Sequence, residues 1–149
     1  MLTLLTSFLV AIPGAVVGAA TCWEARALRG MCNALLVSSL AHHGTRPRRI
    51  EWILRVDQAM CYATAAMCLA ICALSGYHPF HAETLPCWLS LIAAWGVSGP
   101  VSENPRYYER GWHRLHGAMH CTAAAGLTAF ARVLRARCDE EVLCGSNLK

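Results

Sequence analysis

Two histidines lie four residues apart in the last third of the chain, His116 and His120. On a helix this spacing projects both imidazoles from one face, where they can bind one metal ion. Ser38 and His42 have the same spacing, which places a hydroxyl one turn from a third imidazole. Three histidine ligands leave a zinc ion one open position for water, whose pKa zinc lowers to about 7. These residue types therefore indicate a zinc site suited to hydrolysis.

Asp57 is the acidic residue that we expect beside these groups. Its carboxylate can hold the water or act as a general base, and Ser38 can donate a hydrogen bond to an oxyanion or orient a ligand. Each residue also has a purely structural interpretation. Asp57 can form an ion pair with Arg55, and Ser38 can bond the carbonyl of an earlier helical turn. Asp57 lies near the start of a stretch that we predict below to span a membrane. Ionisable groups inside a membrane usually mark a function, so we favour the catalytic interpretation.

The other four of the seven histidines receive no assigned role. His113 shares a helical face with His116 and could replace one ligand, but an interfacial histidine beside Trp112 is the simpler interpretation. His43 points away from the face of its neighbour and is expected to face a loop. His78 and His81 are expected in a loop at the opposite membrane surface.

The elements that must position these groups are predicted from the composition. Hydrophobic residues make up 56% of the 149 residues and charged residues only 15%, against about 45–50% and about 25% in ordinary soluble proteins. Five stretches contain no Asp, Glu, Lys or Arg: 1–23, 30–45, 58–82, 84–102 and 115–131. A spanning helix needs about 17–25 mostly apolar residues. We therefore predict an all-α, polytopic transmembrane helix bundle with about five spans, over 2–21, 28–42, 53–74, 85–97 and 111–134.

The five predicted helices bring the chemical groups to one face of the membrane. Ser38 and His42 lie at the end of the second helix, and Asp57 lies in the first turns of the third. The fifth helix starts on that same side, where it carries His116 and His120. Residues 1–134 form one predicted transmembrane domain, and residues 135–149 a charged, mobile tail.

Two features of the chain have competing interpretations. Residues 1–20 resemble a cleaved signal peptide in their small terminal residues, but they lack its positive start, so we favour a first span. Most of the nine cysteines fall in apolar stretches and are expected to pack as small hydrophobes. Cys138 and Cys144 in the tail could pair.

The net charge of +4 is too small and too scattered to indicate nucleic-acid binding. The partner expected instead is a membrane lipid substrate, in a membrane that the sequence does not specify. Gly14 and Gly18 form a small-xxx-small pattern, which is typical of close helix packing within the chain or in a homo-oligomer.

The motif formed by Ser38, His42 and Asp57, followed by His116-x-x-x-His120, resembles the S-x-x-x-H…D and H-x-x-x-H core of a known group. This group comprises the hemolysin III and adiponectin/progestin-receptor-type membrane proteins, in the superfamily of the alkaline ceramidases. The resemblance implies zinc held by His42, His116 and His120, with Asp57 and Ser38 around the bound water. It also implies hydrolysis of a lipid amide such as ceramide. That superfamily generally has seven spans, so this chain is a shortened form.

Three functions of different classes follow from these observations. The first is a zinc-dependent intramembrane hydrolase of a lipid amide or ester. The second is a haem b protein with one axial histidine from the second helix and one from the fifth, which gives no role to Asp57 and Ser38. The third is a non-catalytic, receptor-like membrane protein in which zinc is structural.

Overall fold

The computed structural model describes residues 2–44, 51–76, 82, 84–90, 92–93 and 110–146, and the side chains of residues 2, 51, 110–113 and 141–146 are outside this description. All regular structure in the described residues is helical, which confirms the all-α prediction. The elements are α1 (Leu2–Ser7), a 3₁₀ turn (Phe8–Val10), α2 (Ala11–Val17), α3 (Trp23–Gly44), α4 (Glu51–Leu74) and α5 (Arg110–Ser146). A short helical stretch over residues 85–90 lies between α4 and α5.

The N-terminal helical segment is shorter than the predicted span and changes its winding before Pro13. Proline has no N–H to donate to the carbonyl of Leu9, and the 3₁₀ turn lies over that part of the segment. The segment ends at Val17 because Gly18 adopts φ 51°, in the left-handed region that favours glycine. Gly14 packs against α3, because a Cβ atom at this position would lie 3.6 Å from the Cβ of Cys32.

Helix α3 is longer than predicted at both ends, and this extension matters for the histidines. It begins at Trp23 with Glu24 in its first turn, where the positive end of the helix dipole stabilises a carboxylate. Arg29 extends from it and donates a hydrogen bond to the carbonyl of Gly18. The helix continues through His42 and His43 to Gly44. Helix α4 matches its predicted range closely and ends at Leu74, before Gly76.

Helix α5 continues 37 residues, through most of the segment predicted to be a mobile tail. Three contacts hold this extension in place. Arg135 pairs with Asp139 one turn later at 2.9 Å and donates to the carbonyl of Val17 at 3.4 Å. Cys138 forms a disulfide with Cys22, at a sequence separation of 116 residues. The disulfide partner of Cys138 is therefore Cys22 and not Cys144, with which pairing was also possible from the sequence.

The hydrophobic core lies in the half of the bundle nearer this disulfide. Helix α3 packs against α4, and α2 packs against both α3 and α5. Gly126 allows residues 85–90 to approach α5, because a Cβ there would lie 2.6 Å from the Cβ of Ser90. Of the cysteines expected to pack as small hydrophobes, Cys32, Cys68 and Cys72 lie in the core, whereas Cys61 and Cys121 are exposed. The largest fully buried apolar side chains are Phe130, Leu28, Ile71, Leu127 and Leu134.

Among the described residues, one helix is long and apolar enough to cross a membrane, Trp52–Leu74. The helix Thr3–Val17 is apolar but shorter. Helix α3 carries Glu24, Arg26 and Arg29 in its first turns, and these charges shorten its apolar part. Much of the predicted fourth span, 85–97, lies outside the described residues. The prediction of five spans is therefore not confirmed by the helices themselves.

Candidate metal centre

The C-terminal end of α3 carries two serine–histidine pairs in adjacent helical registers. Ser38 and His42 form one pair, and Ser39 and His43 form the other, each four residues apart. All four side chains are buried. Positions i, i+1, i+4 and i+5 lie on one side of a helix, and burial of four polar side chains there requires polar partners from other helices.

Helix α5 supplies two of those partners. His116 and His120 are one turn apart on its buried face, with ring centroids 4.5 Å apart. The ring of His43 lies against both, with its centroid 5.1 Å from each, so the three rings form a triangle. Its Nε2 atom is 3.3 Å from Nε2 of His116. One ligand atom from each of these three histidines lies within 4.8 Å of the other two.

The burial of His43 corrects the expectation that it faces a loop. Its side chain is 5% exposed, because α3 continues to Gly44 and keeps this ring inside the bundle. The sequence carried a signal for this position: Ser39 and His43 repeat the spacing of Ser38 and His42. Of the three ligands predicted from the motif, the structure brings His116 and His120 together with His43.

His42 belongs to a second group in the same cluster. One ligand atom from each of His42, His43 and Asp57 lies within 4.8 Å of the other two, and all three side chains are buried. The rings of His42 and His43 are tilted by 55°, with centroids 4.7 Å apart. His43 is thus common to both groups.

The predicted association of Ser38 with Asp57 is present as a hydrogen bond. Ser38 Oγ donates to Asp57 Oδ1 at 3.0 Å, across the interface between α3 and α4. The same hydroxyl lies 3.0 Å from the carbonyl oxygen of Leu35, one turn earlier. Because serine has one hydroxyl proton, the two acceptors share it or alternate. The structural interpretation of Ser38, a bond to its own helix, therefore describes a contact that exists, and the bond to Asp57 is an additional contact.

Helix α1 contributes a polar group that the sequence analysis did not identify. Thr6 Oγ1 is 3.2 Å from Nδ1 of His120, and it also donates to the carbonyl of Thr3 at 3.1 Å. With its proton directed at Thr3, the hydroxyl accepts a hydrogen bond from His120 Nδ1–H. The Nε2 lone pair of His120 is then available for a metal ion, an arrangement common in metal-binding histidines.

The separation between the nitrogens of His43 and His116 fits two ligands of a tetrahedral ion. Two nitrogens bound to zinc at about 2.0–2.1 Å with a tetrahedral angle lie roughly 3.3 Å from each other. The nitrogens of His43 and His116 are separated by 3.3 Å, with His120 against both rings. His78 and His81 lie outside the described residues, as does the side chain of His113.

Comparisons with known proteins add no relative from which a role could be transferred. No protein-family model, no curated protein and no solved structure matches the chain.

Proposed function

We propose that this chain is a multi-pass membrane protein that holds a catalytic zinc ion in its polar core and hydrolyses a lipid amide or ester. The observation that carries the proposal is the meeting of three imidazoles from α3 and α5 beside the Ser38–Asp57 pair, all of them buried. The motif resemblance to the hemolysin III and ceramidase superfamily supports the same function.

The distribution of polar and apolar side chains supports a membrane location. The buried set includes an aspartate, four histidines, three serines and three threonines. Large apolar side chains lie outside instead, among them Trp52 at 68% and Leu74 at 74% exposure. Only 28% of the apolar segment of α4 is buried. Water would disfavour such an arrangement, whereas lipid favours apolar residues outside and ionisable groups within. This supports α4 as a span, with neighbouring helices as further spans.

The geometry favours His43, His116 and His120 as the zinc ligands. His42, which the motif resemblance assigns as a ligand, lies in the adjacent group with Asp57. When bound, zinc supplies Lewis acidity and lowers the pKa of a coordinated water. Asp57 accepts a proton beside the ion, and Ser38 orients the carboxylate through its hydrogen bond. Thr6 holds His120 in the tautomer that binds metal.

The two other candidate functions are less well supported by the cluster. A haem would need space for its macrocycle between two axial imidazoles. The four rings instead contact one another, with centroid separations of 4.5–5.1 Å. A receptor-like protein with structural zinc would not need the carboxylate, and its function would survive Asp57→Asn.

Metal analysis of detergent-purified protein tests the proposal. Wild-type protein is compared with His116→Ala/His120→Ala, and His78→Ala/His81→Ala serves as the matched control because it removes two histidines that have no assigned role. We expect bound zinc in the wild type and the control, and a lower zinc content in the first variant. Absence of zinc from folded wild-type protein, or an undiminished zinc content in His116→Ala/His120→Ala, would refute the site. Release of fatty acid from a ceramide or ester lipid, abolished by Asp57→Asn, then tests the reaction.

A further inference from the structure

The polar cluster contains more metal-ligating side chains than one catalytic zinc ion uses. A catalytic zinc ion takes three protein ligands and keeps a position open. Here five buried ligand residues form two overlapping groups of three, which are His43, His116, His120 and His42, His43, Asp57. The second group contributes two ligands that the first does not use, a histidine and a carboxylate. Both suit a divalent ion that prefers nitrogen and oxygen ligands.

His43 is placed to serve both groups at once. An imidazole has two ring nitrogens that point in different directions, and each can bind a metal ion. Nε2 of His43 faces His116, at 3.3 Å. The Nδ1 atom is also buried within the bundle, and the ring lies against that of His42. One nitrogen can therefore bind with the α5 histidines while the other binds with His42 and Asp57.

We propose that the cluster is a two-metal centre, in which a second divalent cation is held by His42, Asp57 and the second nitrogen of His43. The proposal rests on the function proposed above, because His43 bridges to the zinc ligands. When both ions are bound, His43 has released its remaining ring proton to water and is an imidazolate. Zinc is the simplest occupant of both positions, since histidine and carboxylate are both zinc ligands.

Each group has a hydrogen bond that orients one of its ligands from outside. Thr6 contacts the far ring nitrogen of His120 in the first group. Ser38 donates to one carboxylate oxygen of Asp57 in the second and leaves the other oxygen available. Such outer contacts are typical of metal ligands and fix their orientation. A single metal site would need such contacts in one group only. Here each of the two groups has one.

A second ion changes which substrates the centre can bind. Two divalent ions carry four positive charges, and the imidazolate and Asp57 offset only two of them. The remaining charge favours an anionic or strongly polarised ligand. The imidazole ring would keep the two ions further apart than the about 3.5–4 Å found where one oxygen bridges both ions, so each ion would contact a different oxygen of the substrate. A lipid that presents two polar oxygens, such as a carbonyl oxygen and a headgroup oxygen, fits this requirement.

The test is the number of zinc ions bound per folded chain at saturating free zinc, by elemental analysis after removal of unbound metal. We expect about two per chain in the wild type, and about one in His42→Ala and in Asp57→Ala. His116→Ala/His120→Ala should lose the first ion, and His43→Ala should lose both. The control His78→Ala/His81→Ala should bind as the wild type does. An intact Cys22–Cys138 disulfide and a monodisperse elution profile identify folded protein.

The outcomes separate this proposal from the one on which it rests. One ion per wild-type chain, lost in His116→Ala/His120→Ala, would overturn the second site and leave the zinc centre standing. No ion at all would overturn both. Two ions that persist in His42→Ala and Asp57→Ala would place the second ion elsewhere and also overturn this proposal.

A measurement on wild-type protein alone gives an independent answer if the variants fail to fold. Copper(II) ions bridged by an imidazolate couple magnetically, so the paramagnetic resonance signal of the copper-loaded protein should fall as the second equivalent binds. A signal that instead doubles between the first and second equivalents would contradict the bridge.

Discussion

Helices α3 and α5 are held together by different contacts at their two ends. One end carries the Cys22–Cys138 disulfide and the fully buried apolar side chains of the core. The other carries the cluster of His42, His43, Asp57, His116 and His120. At about 1.5 Å per residue, roughly 30 Å separates the two along α3, close to the thickness of a membrane's hydrocarbon region.

The difference indicates which end stabilises the fold and which end can act. A close-packed core lowers the free energy of the folded state, and a disulfide raises that of the unfolded chain by restricting it. Burial of imidazoles and a carboxylate costs free energy because it removes their hydration, and the hydrogen bonds within the cluster offset part of that cost. Under the proposed function a bound ion adds to this compensation at the polar end, whereas the disulfide end needs no ligand. The predictions that follow test this contrast.

The largest effect is expected at His43. Replacement by alanine removes the ring that contacts both α5 histidines, so metal content should fall to background and hydrolysis should be abolished. The disulfide should still form. Elemental analysis and a lipid-release assay on the same preparation measure both quantities. Full metal content in His43→Ala would restore the assignment of His42 as the α3 ligand.

At the opposite end, Cys22→Ser/Cys138→Ser should lower stability without altering the metal centre. The disulfide closes a loop of 116 residues, and its loss should reduce the free energy of unfolding by about 4 kcal/mol. Denaturant titration of the detergent-solubilised protein measures this value. Metal content of the folded fraction should match the wild type; a parallel loss of metal would show that the two ends are not independent.

Asp57→Asn tests catalysis separately from zinc binding at His43, His116 and His120. The amide retains the shape of the carboxylate and can still accept the Ser38 hydrogen bond, but it accepts a proton poorly. Turnover should fall about 10²-fold or more, and the ion at His43, His116 and His120 should remain. A variant with wild-type turnover would favour a non-catalytic role for the metal.

Thr6→Val should have the smallest effect. Valine keeps the volume but removes the acceptor for His120 Nδ1–H, so the ring loses its preferred tautomer. Loss of such an outer contact typically weakens metal binding by about 10- to 100-fold. Competition with a chelator measures the change, and Thr122→Val is a matched control because Thr122 is exposed and bonds only to Ala118 of its own helix. Equal affinities in the two variants would remove Thr6 from the site.

The sequence predicted those parts of the fold and site that depend on local spacing. Helix α4 was expected over 53–74 and spans Glu51–Leu74. The spacing of His116 and His120 predicted two rings on one face, which the structure shows as neighbours. The hydrogen bond between Ser38 and Asp57 joins two helices that are separated by only six residues of sequence, so their proximity also follows from local order.

Contacts between distant segments could not be predicted in the same way. Nothing near Cys22 or Cys138 indicates their pairing, because the contact depends on how α3 and α5 pack. The continuation of α5 through Ser146 depends on the same packing, since Arg135 and Cys138 both contact the N-terminal region. The role of Thr6 likewise requires α1 to lie against α5.

The sequence by itself determined that the chain is helical and rich in apolar residues. It also determined that imidazoles, a carboxylate and a hydroxyl occur at helical spacings. Only the tertiary structure decided which imidazoles meet. His42 and His43 are adjacent in sequence, and their rings leave α3 about 100° apart. The packing of α3 against α4 and α5 places His43 against both α5 histidines and His42 near Asp57. A helix presents its side chains by periodicity, but its rotation against its neighbours is set by the whole interface.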